Sequence, residues 1–363
     1  MTIEEISATP NQFKLEILRA LYQDLAEQQS DNFAPERFNL NGVDCSELFL
    51  IDRHVGFLDW FTRRYESIFF ASRCFADRKS RELYLEILRY RLAGHLHVRI
   101  NADAARVGER RAAFHAAFTG SPSILGTTGM FGGLMHFDAE WEGVTYAIDS
   151  VGYELAAALV YKQYFFERDG IVIRPEPGDV VIDGGAFTGE TSVIFGTSVG
   201  PSGHVYAFDP VGDHIDICRH NFAQAKLTNV TLVERGLSDR TLDAPPVRVG
   251  QYSPGWHVDG STVPLWRIDD FVRANALATV DFIKMDVEGS EIPALRGARE
   301  TIARFRPKLA ISIYHRPDDF CDIILLLQSF DLGYRFSLDH YTIFDEETVL
   351  YAMCPDRHAQ RSE

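Results

Sequence analysis

Four residues stand where a short apolar run stops. They are Asp183 after Val180-Val181-Ile182, Asp209 after Val205-Tyr206-Ala207-Phe208, Asp286 after Phe282-Ile283-Lys284-Met285, and His315 after Leu309 to Tyr314. Carboxylates accept hydrogen bonds from hydroxyl and ammonium groups, and an imidazole takes a proton near neutral pH. Three acids and one base at equivalent positions suit a polar, partly cationic ligand with a proton transfer beside it. Each also has a bland reading. Asp209-Pro210 is a turn start, Glu288 and Glu291 are acids that a helix N-terminus attracts, and a lone histidine is more often structural. The repeated placement favours a site, because open α/β sheets bind ligands outside the carboxyl ends of their strands.

The loop after the first run narrows the ligand. It reads Asp183-Gly184-Gly185-Ala186-Phe187-Thr188-Gly189, with Thr188 as the expected N-cap of a helix running to about Ser198. Glycines let the backbone turn sharply and approach a ligand closely. The spacing D-x-G-x-x-x-G does not fit the G-x-G-x-x-G of dinucleotide sites. An acid at the strand end suits a cofactor that has an amino group and no pyrophosphate, as a methionine sulfonium does. Asp209 follows Asp183 by 26 positions (209 − 183), one helix and one strand later, where an acid commonly receives ribose hydroxyls.

The elements that must position these groups follow from hydrophobic period. From about residue 171 strand and helix patterns alternate, the signature of a parallel α/β sheet. Strands are predicted at 179–183, 204–209, 230–234, 280–286, 308–314, 333–338 and 347–353, and helices at 188–198, 212–226, 290–305 and 317–330. The last two strands have no crossover helix between them and should pair antiparallel. Upstream, residues 13–25 and 60–98 are mostly helical in period, and Leu48–Ile51 reads as a buried segment. A helix is expected at 105–119, a glycine-rich loop at 120–137, a strand near Thr145–Ile148 and a helix at 153–166 whose aromatics are packing. Arg73, Asp77, Arg78, Arg81 and Glu82 read as a solvated charged face. The division expected is a mainly helical domain over 1–165, serving substrate binding or homo-oligomerisation, and a catalytic domain over 166–363.

Composition sets outer bounds. The chain has 363 residues and a formal net charge of −16, which disfavours a nucleic-acid partner or docking on anionic membrane. Its five cysteines are scattered, with no C-x-x-C pair to suggest zinc or a disulfide framework. With no signal peptide or membrane-spanning run read, a soluble, cytoplasmic protein is expected.

The sequence resembles the FkbM family of S-adenosylmethionine-dependent methyltransferases. The likeness rests on Asp183-Gly-Gly-Ala-Phe-Thr-Gly189, Val205-Tyr-Ala-Phe-Asp-Pro210 and Val280-Asp-Phe-Ile-Lys-Met-Asp-Val-Glu-Gly-Ser-Glu291. The Arg296-Gly-Ala298 turn and Lys308–His315 extend it, so that it covers roughly 170–353. The resemblance implies a seven-stranded Rossmann-like class I methyltransferase sheet with an antiparallel last strand. It implies O-methylation of a hydroxyl on a sugar or secondary metabolite, a small-molecule acceptor. Asp183, Gly184, Gly185, Ala186, Thr188, Gly189, Asp209 and Asp286 should line the cofactor, and Ser238 and Asp239 should flank its adenine. Phe187 stands where the family often has Asn, and Asp209 where it often has Glu. His315 is expected to act as base, with Asp286 orienting it or the substrate. A variant has Asp286, with Glu291 or His315, holding Mg²⁺ to acidify the hydroxyl. The rivals are a nicotinamide-dependent oxidoreductase and a non-catalytic cofactor-binding protein. The irregular insert 244–265 is expected to contact the acceptor, with Trp256 stacking on a sugar face.

Overall fold

The computed structural model describes residues 9–27, 47–100, 116, 118–125, 134–245, 263–342 and 344–355. The chain divides into two compact units, one of residues 1–106 and 313–350, the other of 107–312 and 351–363.

The first unit carries α1 (Pro10–Asp24), α2 (Glu47–Ser72), α3 (Arg78–Ala93) and a later helix, Asp319–Ser329. Helix α1 starts at an N-cap, Thr9, whose hydroxyl accepts from Gln12 N, with Pro10 supplying a helix-ready φ at the first position. Phe13, Ile17 and Leu21 recur at helical spacing and are buried. Helix α3 is capped by Asp77, which accepts from Ser80 N at 2.8 Å, and it ends at Gly94 with φ +84. The expected charged face is thus partly a cap. Arg78 and Glu82 pair at 2.7 Å across one helical turn in an exposed setting. Tyr84 stacks on Phe320 with ring centroids 4.1 Å apart, and the buried Arg91 guanidinium lies 4.3 Å from the Phe320 ring.

The second unit opens with an antiparallel sheet of β1 (Gly120–Pro122), β2 (Met135–Trp141) and β3 (Val144–Ser150). Much of the predicted loop at 120–137 is therefore paired strand wherever it is described. A single helical turn α4 (Gly152–Leu155) runs into a π-helical turn, Ala156–Val160, then into a small hairpin of β4 (Phe166–Arg168) and β5 (Ile171–Ile173). The helix predicted over 153–166 stops at Val160.

The site-bearing elements come next: β6 (Val180–Gly184), α5 (Glu190–Val199), β7 (His204–Phe208), α6 (Gly212–Gln224), β8 (Val230–Val233), β9 (Gly236–Leu237), β10 (Leu265–Trp266), α7 (Ile268–Ala274), β11 (Phe282–Met285), α8 (Glu291–Gly297), α9 (Arg299–Phe305) and β12 (Lys308–Ser312). The later helix of the first unit is α10 (Asp319–Ser329), followed by β13 (Arg335–His340) and β14 (Thr348–Met353). Seven strands form one sheet in the order β13-β14-β12-β11-β6-β7-β8, with parallel pairing along β12-β11-β6-β7-β8. The connection 341–347 is too short for a parallel crossover, so the closing pair is antiparallel, as expected. The helix predicted over 290–305 breaks in two at Ala298. There a Cβ on Gly297 would lie 2.0 Å from Ser238 O, so two backbones meet where the sequence pattern reads as one continuous helix.

Candidate active site

Successive strands β6, β7 and β8 run to one side, and β11 and β12 to the other. The strand order therefore reverses between β6 and β11, the crevice position where open α/β sheets bind ligands. Register fixes the rim. Gly184 is level with Phe208 on β7 and with Met285 on β11, so Gly185, Asp209 and Asp286 are the next residues outward. Asp183 sits one row deeper, level with Ala207 and Lys284. On β12, Ile311 is level with Met285, which sets Ser312 beside Asp286 in register. His315 comes three residues further along the chain, half-buried, in the first unit. The strand ends at β6 and β11 meet so closely that a Cβ on Gly185 would lie 1.8 Å from Asp286 O, and Gly185 has φ +80. Glycine is required there on both counts.

Behind the rim lies a buried charge network. Asp183 is fully buried and accepts from Thr191 Oγ1 at 2.8 Å and Ser192 Oγ at 2.6 Å. Lys284 Nζ lies 3.2 Å from Asp183 Oδ1, donates to Gly185 O at 2.6 Å and sits 5.2 Å from the centre of the Tyr164 ring. Burial penalises this ammonium, but Asp183 and Asp286 outweigh the penalty and raise its pKa. Glu190 is also buried at the start of α5 and accepts from Thr188 Oγ1. Burial pushes the Glu190 carboxyl up to about 7, with Asp183 adding to the rise and Thr188 and Lys284 opposing it.

The loop itself departs from one expectation. Thr188 is not the helix cap. Gly189 holds that place with φ +85, and the buried Thr188 hydroxyl turns to Glu190 and, at 2.9 Å, to Ser150 Oγ. Ala186 is fully buried within the loop. Phe187 adopts φ +50, a region where Asn is enriched and a bulky residue is rare, which explains physically why asparagine suits this position. Asp209 is buried and accepts from Phe187 N at 3.0 Å, Val211 N at 2.9 Å and His214 Nδ1 at 3.2 Å. A carboxylate has about four acceptor positions, so capacity for a further hydroxyl remains. Ser238, half-buried, and Asp239, exposed, follow β9 directly.

Asp286 is half-buried and accepts from Tyr164 Oη at 2.5 Å. Glu291 is fully buried, and its Oε1 accepts from Val287 N at 2.8 Å, so the bland reading of a first-turn acid fits it. Lys284, Glu190, Tyr164 and Asn221 are the side chains that the sequence pattern does not single out. Lys284 leaves a signal: it is a charge inside an otherwise apolar strand, which needs a buried counter-charge. Asn221 leaves none. It is buried, donates to Thr188 O and to Asp149 O, both at 2.7 Å, and accepts from Asp149 N at 2.8 Å. The cofactor-type loop is thereby tied to β3. Trp256 and the residues 246–262 around it lie outside the described residues, as does the helix expected at 105–119 but for its last few residues.

The sheet order and the acid-lined crevice define a class I methyltransferase fold. Residues 183–336 match the family described as Methyltransferase FkbM domain. A crystal structure of Methyltransferase FkbM from Methylobacillus flagellatus KT shares the fold, with 21% identity and a TM-score of 0.52. The match covers 80% of this chain and 59% of that one. The 2-O-methyltransferase NoeI of Sinorhizobium fredii is 25% identical, over 38% of this chain and 65% of its own length. The chain thus spans less than two thirds of either protein. Among the described residues, no helix is long and apolar enough to cross a membrane.

Proposed function

We propose that the chain is an S-adenosylmethionine-dependent O-methyltransferase acting on a hydroxyl of a sugar or secondary metabolite. One observation carries this reading. At the β6–β11 crevice of an FkbM domain, the carboxylates of Asp183, Glu190, Asp209 and Asp286 outnumber the buried cation Lys284 that lies among them. That excess suits a ligand bearing positive charge and ribose hydroxyls, and it repels a pyrophosphate. The name of NoeI supports oxygen as the acceptor atom.

When bound, the cofactor supplies a methyl group already activated on a positively charged sulfur. The protein's task is then alignment and removal of one proton. Gly184, Gly185, Ala186, Thr188 and Gly189 form the loop that would face the cofactor, Asp209 accepts from ribose hydroxyls, and Ser238 and Asp239 flank the adenine. Asp183 holds Lys284, which in turn holds the Gly185 carbonyl and so fixes the turn. Asp286 orients the acceptor hydroxyl, and His315 takes the proton that hydroxyl gives up.

The test is His315→Ala. Turnover should be lost while cofactor affinity stays within a few-fold; persistence of turnover would make His315 structural. Turnover that survives EDTA removes the reading in which Asp286, Glu291 and His315 hold Mg²⁺. Binding of a nicotinamide cofactor in preference to S-adenosylmethionine would favour the oxidoreductase rival. Cofactor binding with no transfer to any hydroxyl would favour a non-catalytic protein.

A further inference from the structure

Three irregularities crowd into residues 156–164. Ala156–Val160 is a π-helical turn, and Lys162 and Tyr164 have φ of +56 and +72. π-Turns are rare and gather at functional sites, and a left-handed conformation at a bulky aromatic costs energy that the surroundings must repay. Packing alone does not call for it, since an aromatic ring can be buried from an ordinary backbone.

What this backbone achieves is delivery of one hydroxyl. Tyr164 is 4% exposed, and its backbone N donates to Tyr351 Oη at 2.9 Å. Gln163 Nε2 donates to Tyr164 Oη at 3.1 Å, and that hydroxyl donates to Asp286 Oδ2 at 2.5 Å. The ring lies over Lys284, whose ammonium holds the Gly185 carbonyl. One side chain therefore touches both halves of the crevice, the turn after β6 through Lys284 and the end of β11 through Asp286. A donor to an ionised oxygen is among the stronger hydrogen bonds, and a chain of donors strengthens it.

We infer that Tyr164 is a positioning residue for methyl transfer: its hydroxyl fixes the Asp286 carboxylate that orients the acceptor. This rests on the functional reading above and adds to it a residue from outside the matched domain, which begins at residue 183. The phenol keeps its own proton and forms no bond to the acceptor.

The experiment uses the full chain with S-adenosylmethionine and a panel of methyl glycopyranosides with unsubstituted 2-hydroxyls, reading S-adenosylhomocysteine release. Tyr164→Phe keeps the ring and loses the hydroxyl. The expected result is a fall in kcat of about 10–100-fold, the size of one lost hydrogen bond to a charge, with the Kd for S-adenosylmethionine within about threefold. On an Asp286→Asn background the same change should have almost no further effect, because the two act as one unit. Gln163→Met, which spares the tyrosine, should lower kcat in the same direction by a smaller factor. Full kcat in both single variants, or additive losses in the double variant, would overturn the inference. A wild-type chain that neither binds S-adenosylmethionine nor methylates any glycoside overturns the functional reading and takes this inference with it.

Discussion

Asp183 and Asp286 close adjacent parallel strands one row apart, yet the protein treats them in opposite ways. Asp183 is fully buried, and its partners lie nearby, in Thr191 and Ser192 on the following helix and Lys284 on the next strand. Asp286 is half-buried, and it accepts from Tyr164, 122 residues away, on a segment in left-handed conformation. Buried charges must be compensated or they destabilise, and Asp183 is compensated inside its own scaffold. A carboxylate left partly open and held by a distant donor can meet a ligand. In this chain the acid that opens the glycine-rich loop is the framework, and the acid beside it is the one we propose as the working group.

Lys284→Met tests the framework half and should have the largest effect on stability. It strands Asp183 without its cation, and chemical denaturation should show a loss of about 3–5 kcal/mol. Should stability hold, Asp183 would not depend on Lys284, and the contrast between the two acids would fail.

Glu190 belongs to the framework side and titrates near neutrality. Its carboxyl is raised from 4.5 to about 7 in the folded state, so folding binds a proton more tightly there. The stabilising contribution is fully present below about pH 4.5 and lost as pH rises through about 7. The stability difference between the parent and Glu190→Gln should therefore shrink or reverse across that window, by up to about 3 kcal/mol. Denaturation curves at several pH values check it; a flat difference contradicts it.

Asn221→Ala removes the tie between the Thr188 carbonyl and β3, leaving buried backbone groups without that partner. A loss of about 2 kcal/mol is expected in thermal or chemical unfolding. Phe187→Asn should change stability least, by under about 1 kcal/mol. Relief of the left-handed backbone offsets loss of the ring contact with His214, whose centroid is 4.9 Å away.

The parallel strands are legible because each is a short apolar run, ended by an acid in every one but β12, and burial on both faces of a sheet demands such runs. The rim follows from them, since strand ends carry their acids to one edge. Thr188 has the residue type of a cap, but its hydroxyl has a better use on Glu190, while Gly189 takes the conformation that opens the helix. Residues 153–166 read as a helix whose aromatics, Tyr161, Tyr164, Phe165 and Phe166, are packing. The pattern cannot show that Tyr164 is wanted elsewhere. Strands β1 and β2 leave no clear period, because their pairing, Ser121 with His136, is set by neighbours.

The proposal that a cofactor bearing an adenosine and a sulfonium binds where β6 and β11 part is tested most directly by a crystal structure of the chain with S-adenosylhomocysteine. The predicted result is ribose hydroxyls at Asp209 and the sulfur beside the Gly185 turn, facing Asp286. Density for the ligand anywhere else, or a soaked crystal with none at that crevice, would contradict it.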